Sequence, residues 1–123
     1  MRTRQEKGQR AYALGIDAEA TARAALVADG WTILGQRLRT QAGEVDAVAE
    51  KDGLLAIIEV KARPNLSDAA VSLSARQQAR LLGAAEILLG ENPGWGKAGV
   101  RFDVLLVDAA GTVRRIADAF RQE

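Results

Sequence analysis

The feature that most constrains the fold is an apolar run, Leu-Leu-Ala-Ile-Ile at residues 54–58, that leads directly into Glu59-Val60-Lys61. A short continuous apolar run is typical of a strand that is buried on both faces. Side chains alternate along a strand, so Glu59 and Lys61 are expected to point to the same face. Because an unpaired buried charge is costly to desolvate, an acid and a lysine at this position indicate a paired or functional site.

A second acid lies on the strand that precedes this run. Residues 44–50 are predicted to form a strand, and Lys51-Asp52-Gly53 is typical of the hairpin turn that would join it to the apolar strand. The hairpin places Asp46 near the Glu59 end of its neighbour. The pattern Glu-x-Lys is common by itself, and a cross-strand set of salt bridges at a sheet edge is the simpler interpretation. An acid, a glycine hairpin, an apolar strand and then Glu-x-Lys form a much more specific combination.

The composition limits which chemistry these residues can perform. The chain has no cysteine and no histidine, which excludes disulfide scaffolds, zinc-finger sites, cysteine nucleophiles and serine–histidine triads. A metal must therefore bind to oxygens, which favours Mg²⁺ or Mn²⁺. An ion shared by Asp46 and Glu59 would lower the pKa of bound water and neutralise charge on a phosphoryl group. Lys61 is expected to orient or deprotonate that water, or to stabilise the pentavalent phosphate.

Two further acids lie near these candidates in the predicted fold. Alternation predicts Glu44 and Asp46 on one face of their strand, and Val45 and Ala47 on the other. Glu19 lies in an alanine-rich helical segment and is a candidate third acid, both as a catalytic group and as a metal ligand. Ordinary exposure on the helix is the alternative for Glu19, and helical periodicity alone favours it.

Helical and strand periodicity predict an α/β fold with the element order α-β-β-β-α-β-β. We expect a central mixed sheet of four to five strands flanked by helices, with the apolar 104–107 segment central and parallel to a neighbour. Ser74-Ala75-Arg76-Gln77 has the pattern of a capping box that opens the second helix. The predicted helices span residues 12–29 and 74–89, the latter with Ala79, Leu82, Ala85 and Leu89 facing the core and Gly90 ending it. The other predicted strands span residues 31–38, 54–63, 100–107 and 112–116, the last an edge strand.

The length of 123 residues fits a single domain, 1–123. Residues 1–10 are predicted to be a flexible basic arm. The charged N-terminus is not followed by an apolar segment, and no apolar stretch is long enough for a membrane helix. We therefore expect a cytoplasmic protein that does not associate with membranes.

Basic side chains are the candidates for contacts with nucleic acid, since basic patches attract phosphate backbones. The net charge of +1 does not decide the question, and for each basic cluster alone a solvated surface is the better interpretation. Arg101 and Asp103 flank Phe102 on a predicted strand and are expected to form a structural ion pair. The candidate nucleic-acid-binding residues are Arg37, Arg39, Arg63, Arg76, Gln77 and Arg80.

Three segments together resemble the UPF0102 (YraN-like) family of small bacterial proteins. They are Gly43-Glu44-Val45-Asp46, Ile58-Glu59-Val60-Lys61-Ala62-Arg63 and Arg101-Phe102-Asp103-Val104. The likeness covers residues 15–119. It implies a restriction-endonuclease-like fold with a PD-(D/E)xK site, similar to archaeal Holliday-junction resolvases. By this resemblance Asp46, Glu59 and Lys61 are the acid, acid and lysine of the motif, and Glu19 is the helical acid of resolvase-type sites.

The chain departs from the family pattern at two positions. Arg37 stands where the family usually has Asn, and Gln77 stands where Lys is common on the second helix. The resemblance implies a nuclease site without naming a substrate. Because Asp46, Glu59 and Lys61 occur together, the first hypothesis is a metal-dependent endonuclease that hydrolyses phosphodiester bonds in DNA, with branched or damaged DNA as candidate substrates. The alternative is a non-catalytic nucleic-acid-binding or adaptor protein on a nuclease scaffold. A homodimer would supply two sites for two strands.

Overall fold

A computed structural model describes residues 17–66 and 73–120 of the chain. The predicted order α-β-β-β-α-β-β is confirmed. The predicted basic arm at residues 1–10, the first residues of the predicted 12–29 helix and part of the loop after Pro64 lie outside the described residues. The elements are α1 (Ala18–Ala28), β1 (Thr32–Thr40), β2 (Gly43–Lys51), β3 (Leu54–Ala62), α2 (Ala75–Glu91), β4 (Gly99–Val107) and β5 (Val113–Phe120).

The strands form one mixed sheet in the order β1-β2-β3-β4-β5. The pairs β1–β2, β2–β3 and β4–β5 are antiparallel, whereas β3 and β4 are parallel and connected through α2. The apolar runs of β3 and β4 are almost wholly buried at the sheet's interior, as expected for parallel strands covered on both faces. The parallel placement predicted for residues 104–107 is therefore confirmed, and β5 is an edge strand that is longer than predicted.

Both helices begin at side-chain caps that the sequence supplies. The Asp17 carboxylate accepts a hydrogen bond from the Ala20 backbone N–H at 3.1 Å at the start of α1. At the start of α2, Ser74 and Gln77 form the predicted capping box. The prediction that Gly90 ends α2 is wrong by one residue, because the helix continues to Glu91. Within the described residues, neither helix is long and apolar enough to span a bilayer.

The two helices cover opposite faces of the sheet and form two apolar cores. The first core combines α1 with alternate residues of β2, β3 and β4, and the second combines α2 with the intervening residues. The first includes Ala18, Ala22, Leu26, Ala47, Ile58, Val60 and Leu105. The second includes Val45, Val48, Leu55, Ile57, Leu81, Ala84, Leu88 and Val104.

The prediction for the buried face of α2 is wrong at Ala79, which is exposed. Leu81 is buried instead, and Leu82 lies half-buried at the flank of the second core. The apolar stripe of this helix is wide enough to allow either orientation. Packing against β2, which is the strand that α2 contacts most, selects the face centred one position away from the predicted one.

The prediction that Val45 and Ala47 share a face is also wrong. Ala47 packs in the α1 core, whereas Val45 packs in the α2 core, so the alternation of β2 is interrupted at Asp46. On the partner strand, Arg37 lies opposite this point, between residues paired with Ala47 and Val45. Its φ of +49° is left-handed, a conformation that locally bends a strand. The interruption lies beside the predicted acid site.

Candidate active site

The site forms where β2 and β3 separate. Pairing between these strands ends, toward this side, at Ala47 and Ile58. Beyond it β2 stays paired with β1 as far as Gly43, and β3 stays paired with β4 as far as Ala62. The strands therefore open into a fork just beyond this last pair, and the next residue on each strand is an acid.

Asp46 closes the inner end of the fork. It is 1% exposed, and its Oδ2 accepts a hydrogen bond from the Val60 backbone N–H at 2.6 Å. A side-chain oxygen thus takes the place of a ladder carbonyl where the strands part, so that a buried backbone donor keeps a partner. This bond fixes the Asp46 carboxylate against β3.

Glu59 is held by two cations from different elements. It is 2% exposed, and its Oε2 lies 3.0 Å from Arg80 Nη2 and 3.7 Å from Lys61 Nζ. Lys61 follows on the same face of β3, as predicted, and is 6% exposed. Arg80 reaches the carboxylate from α2. A buried carboxylate requires such charged partners because desolvation alone would favour its neutral form.

Burial lowers the pKa of Lys61 below its ordinary value. Glu59 opposes this effect, and the guanidinium groups of Arg63 and Arg80 reinforce it by repulsion. A lysine whose pKa is lowered is closer to its neutral amine, which can accept a proton.

The donor set fits a cation that retains part of its hydration shell. Asp46 and Glu59 supply carboxylate oxygens, and Mg²⁺ characteristically binds one or two carboxylates together with waters and phosphate oxygens. No group of three or more His, Cys, Asp or Glu side chains lies close enough to hold a metal within residues 17–66 and 73–120. Lys61 and Arg80 already offset the two negative charges. A divalent cation here would therefore be favoured by the negative charge of a phosphate.

Glu19, the predicted third acid, lies on α1 and forms an ion pair with Arg37 on β1. Its Oε1 lies 3.3 Å from Arg37 Nε, and the side chain of Arg37 is 66% exposed whereas that of Glu19 is 14% exposed. The role of Glu19 as a metal ligand or catalytic group stays a prediction.

Sequence comparison identifies the family of the chain. The sequence model described as "Uncharacterised protein family UPF0102" matches residues 18–107. The chain belongs to the UPF0102 family. A UPF0102 protein of Granulibacter bethesdensis is 59% identical over 115 residues, which cover 94% of this chain and 73% of the relative. UPF0102 proteins of Azorhizobium caulinodans (94% of this chain, 88% of the relative) and of a Bradyrhizobium species (89% and 78%) are each 44% identical.

The remaining candidates for nucleic-acid contacts in this UPF0102 chain lie in different settings. Arg39 is 89% exposed, with Nε 3.8 Å from Glu44 Oε2. Arg76 is exposed in the first turn of α2, whereas the Gln77 amide oxygen accepts a hydrogen bond from the Ser74 N–H within the capping box. Arg63 donates to the Ala62 carbonyl at 2.7 Å. Their contacts with nucleic acid stay a prediction.

The predicted ion pair of Arg101 and Asp103 is confirmed. Arg101 Nε donates to Asp103 Oδ1 at 2.9 Å and Arg101 Nη2 donates to Oδ2 at 3.1 Å. Asp103 also accepts the Asp118 backbone N–H at 2.9 Å, where β5 bulges and Asp118 has a φ of +56°. The guanidinium groups of Arg101 and Arg115 lie 5.3 and 5.4 Å from the centroid of the Trp31 ring.

Two features of the site were not predicted from the sequence. The first is the Arg80–Glu59 hydrogen bond, for which the only sequence signal was a basic residue one turn after Arg76. The second is the left-handed backbone at Arg37. Asn, Asp and Gly adopt this conformation more readily than Arg, so the arginine at position 37 gives no signal for it.

Proposed function

We propose that this UPF0102 protein is a metal-dependent endonuclease that hydrolyses phosphodiester bonds in DNA. The observation that supports the proposal is the fork of β2 and β3, where Asp46, Glu59 and Lys61 meet as buried charges. Three ionisable groups in one buried location are costly to maintain, and a buried lysine with a lowered pKa beside two acids is typical of functional sites. The resemblance to PD-(D/E)xK nucleases assigns the same three residues to the motif.

Each site residue has a role that follows from its surroundings. Asp46, fixed by the Val60 N–H, and Glu59 would hold Mg²⁺ or Mn²⁺ through their carboxylate oxygens. The bound ion would acidify water and neutralise charge on the phosphoryl oxygens. Lys61, with its lowered pKa, is suited to accept a proton from the attacking water. In its protonated form it would instead stabilise the charge that develops on the phosphate.

The proposed DNA contacts involve the basic residues around the fork. Arg39 is paired with Glu44 at the start of β2, Arg76 lies one turn before Arg80 on α2, and both have exposed side chains. Phosphate contacts of this type give affinity without sequence specificity, and they weaken as salt concentration rises. The substrate class is therefore best identified by screening DNA forms rather than sequences.

The test uses two matched asparagine variants of the full chain. Supercoiled, linear, single-stranded and four-way-junction DNA are incubated with Mg²⁺, Mn²⁺ or EDTA. Asp46→Asn keeps an oxygen for the Val60 N–H but loses a charged metal ligand, and we expect cleavage to fall by at least about 100-fold. Asp52→Asn makes the same change in the exposed hairpin and should retain wild-type cleavage. Absence of cleavage by the wild type on every DNA form, or equal cleavage by Asp46→Asn, would contradict the proposal.

The second candidate function is a nucleic-acid-binding or adaptor protein without catalysis. The observation that favours it is the Arg80–Glu59 bond, because the arginine occupies an oxygen that a metal would use. This function predicts salt-sensitive DNA binding in EDTA that Asp46→Asn leaves unchanged, and no cleavage. Binding measured by fluorescence anisotropy at two salt concentrations distinguishes the two functions.

A further inference from the structure

Arg80 has an unusual position for a surface arginine of a helix. Its aliphatic stem crosses Gly43 at the start of β2, so closely that a Cβ at Gly43 would overlap the Arg80 Cγ and Cδ. Its Nη2 then reaches Glu59 Oε2 at 3.0 Å. The side chain keeps 30% of its surface exposed, whereas that of Glu59 keeps 3%. Arg80 therefore extends from the protein surface to the buried Glu59 carboxylate.

The backbone of the fold sets this position. A Cβ at Gly83, one turn after Arg80, would lie only 2.9 Å from the Ala42 Cβ in the β1–β2 turn. Two glycines, Gly43 and Gly83, thus allow α2 to approach this turn closely. The approach brings the Arg80 stem over β2 and directs its guanidinium to the fork.

The electrostatics of Glu59 make Arg80 a competitor of any cation that binds there. The contacts of Arg80 and Lys61 are to the same carboxylate oxygen. Lys61 is 6% exposed and lies on the same strand, whereas Arg80 has a path to solvent. A divalent cation and a guanidinium on one carboxylate would repel each other strongly in a site of low dielectric constant. Of the two cations, Arg80 has the more exposed side chain, at 30% against 8% for Lys61.

We propose that Arg80 is a built-in counter-ion that holds Glu59 in the metal-free protein and competes with a divalent cation for this carboxylate. The inference rests on the proposed function in that it assumes a metal site at Asp46 and Glu59. Arg80 is thus a positioning residue that sets the metal affinity of the fork. It keeps the buried carboxylate paired when metal is absent and turns to solvent when metal is bound.

The test measures Mn²⁺ binding to the full chain by titration calorimetry, without nucleic acid. Arg80→Met keeps an aliphatic stem over Gly43 but removes the charge, and we expect its Kd for Mn²⁺ to be at least about tenfold lower than that of the wild type. Arg80→Lys keeps the charge, and its Kd for Mn²⁺ should lie between those of the wild type and Arg80→Met. Lys97→Met removes a charge from an exposed position in the loop before β4 and should change the Kd less than about twofold.

A thermal melt supplies a second measurement that a purely structural role would not reproduce. Without metal, Arg80→Met should melt at a lower temperature than the wild type, because Glu59 loses a partner. With saturating Mn²⁺, the rise in its Tm should exceed the rise seen in the wild type. If Arg80 had only a structural role, Arg80→Met would lower the melting temperature by the same amount with and without Mn²⁺.

The outcomes separate the two proposals. Equal or weaker Mn²⁺ binding by Arg80→Met, with clear binding by the wild type, would overturn the role of Arg80 and leave the metal site intact. Absence of binding in both proteins would overturn the metal site and with it the competition. Tight binding by Arg80→Met that is lost in the double variant with Asp46→Asn would support both.

Discussion

Glu59 on β3 and Asp103 on β4 are both buried acids with an arginine partner, yet they are held in different ways. Asp103 receives two guanidinium nitrogens from Arg101, two residues away on its own strand, and a backbone N–H from the bulge of β5. Glu59 receives one guanidinium nitrogen from Arg80, which lies on another element, and a more distant ammonium from Lys61.

The two pairs differ in how easily the arginine can be displaced from its carboxylate. Arg101 is held between its two bonds to Asp103 and the face of the Trp31 ring, so that its removal would break several contacts at once. Arg80 makes one hydrogen bond to Glu59 and is exposed at its outer side. A bidentate pair backed by an aromatic ring is geometrically well defined, whereas a single hydrogen bond from a partly exposed arginine has fewer contacts to lose. The Arg101–Asp103 pair stabilises the fold, whereas the Arg80–Glu59 pair is compatible with ligand binding at Glu59.

The largest predicted effect compares neutral isosteres at the two acids. Asp103→Asn should lower the free energy of unfolding by about 3 kcal/mol, because its amide cannot accept all the bonds from Arg101 and Asp118. Glu59→Gln should cost about 1 kcal/mol, because its carbonyl oxygen can still accept from Arg80. Urea denaturation followed by circular dichroism measures both.

A third acid provides the baseline for this comparison. The side chain of Asp29 is 60% exposed and pairs with Arg115 at 3.5 Å. Asp29→Asn should therefore lower the free energy of unfolding by less than about 0.5 kcal/mol. If Glu59→Gln lowered the free energy of unfolding as much as Asp103→Asn does, the two acids would not differ as proposed. Glu59 would then contribute as much to stability as Asp103.

A smaller effect is expected from the lysine of the site. Burial lowers the pKa of Lys61 below its ordinary value of 10.5, which means that the folded state disfavours the charged ammonium relative to the neutral amine. Lys61→Met should therefore raise the free energy of unfolding at pH 7 by about 1 kcal/mol, while Arg80 still neutralises Glu59.

The pH dependence of this effect has a definite sign. Between the lowered pKa of the folded state and 10.5, the unfolded chain binds a proton at Lys61 that the folded chain has released, so the wild type gains stability as pH rises. The advantage of Lys61→Met should shrink through this window, as measured by chemical denaturation at several pH values. Lys97 is exposed, so the difference in free energy of unfolding between Lys97→Met and the wild type should not change with pH. An advantage of Lys61→Met that grows with pH would contradict the buried-ammonium explanation.

A small effect is expected at the ion pair of Glu19 and Arg37. Arg37→Asn should raise the free energy of unfolding by about 0.5 kcal/mol, because Asn adopts the left-handed backbone at this position more readily than Arg. Loss of the ion pair with Glu19 should offset little of this gain, because the Arg37 side chain is 66% exposed. The measurement is a urea midpoint compared with that of Arg39→Asn, which makes the same change two residues further along β1. Destabilisation by Arg37→Asn beyond that of Arg39→Asn would mean that Glu19 needs its partner.

Much of the fold was predictable because it depends on local patterns. The hairpin between β2 and β3 follows from Asp52-Gly53, whose φ values are both positive, and the burial of β3 follows from its continuous apolar run. The start of α2 follows from Ser74 and Gln77, which satisfy backbone groups within one turn. Each of these signals acts between residues close in the chain.

The sequence alone determined the order of the elements, the two central strands and the convergence of Asp46, Glu59 and Lys61, since strand period and turn chemistry are short-range properties. Only the tertiary structure decided that α2 buries Leu81 and leaves Ala79 exposed, that the alternation of β2 breaks at Asp46, and that Arg80 reaches Glu59. The first and third of these features depend on how closely α2 approaches the β1–β2 turn at Gly43 and Gly83. That distance is set by the packing of segments about 40 residues apart, which hydrophobic periodicity does not encode.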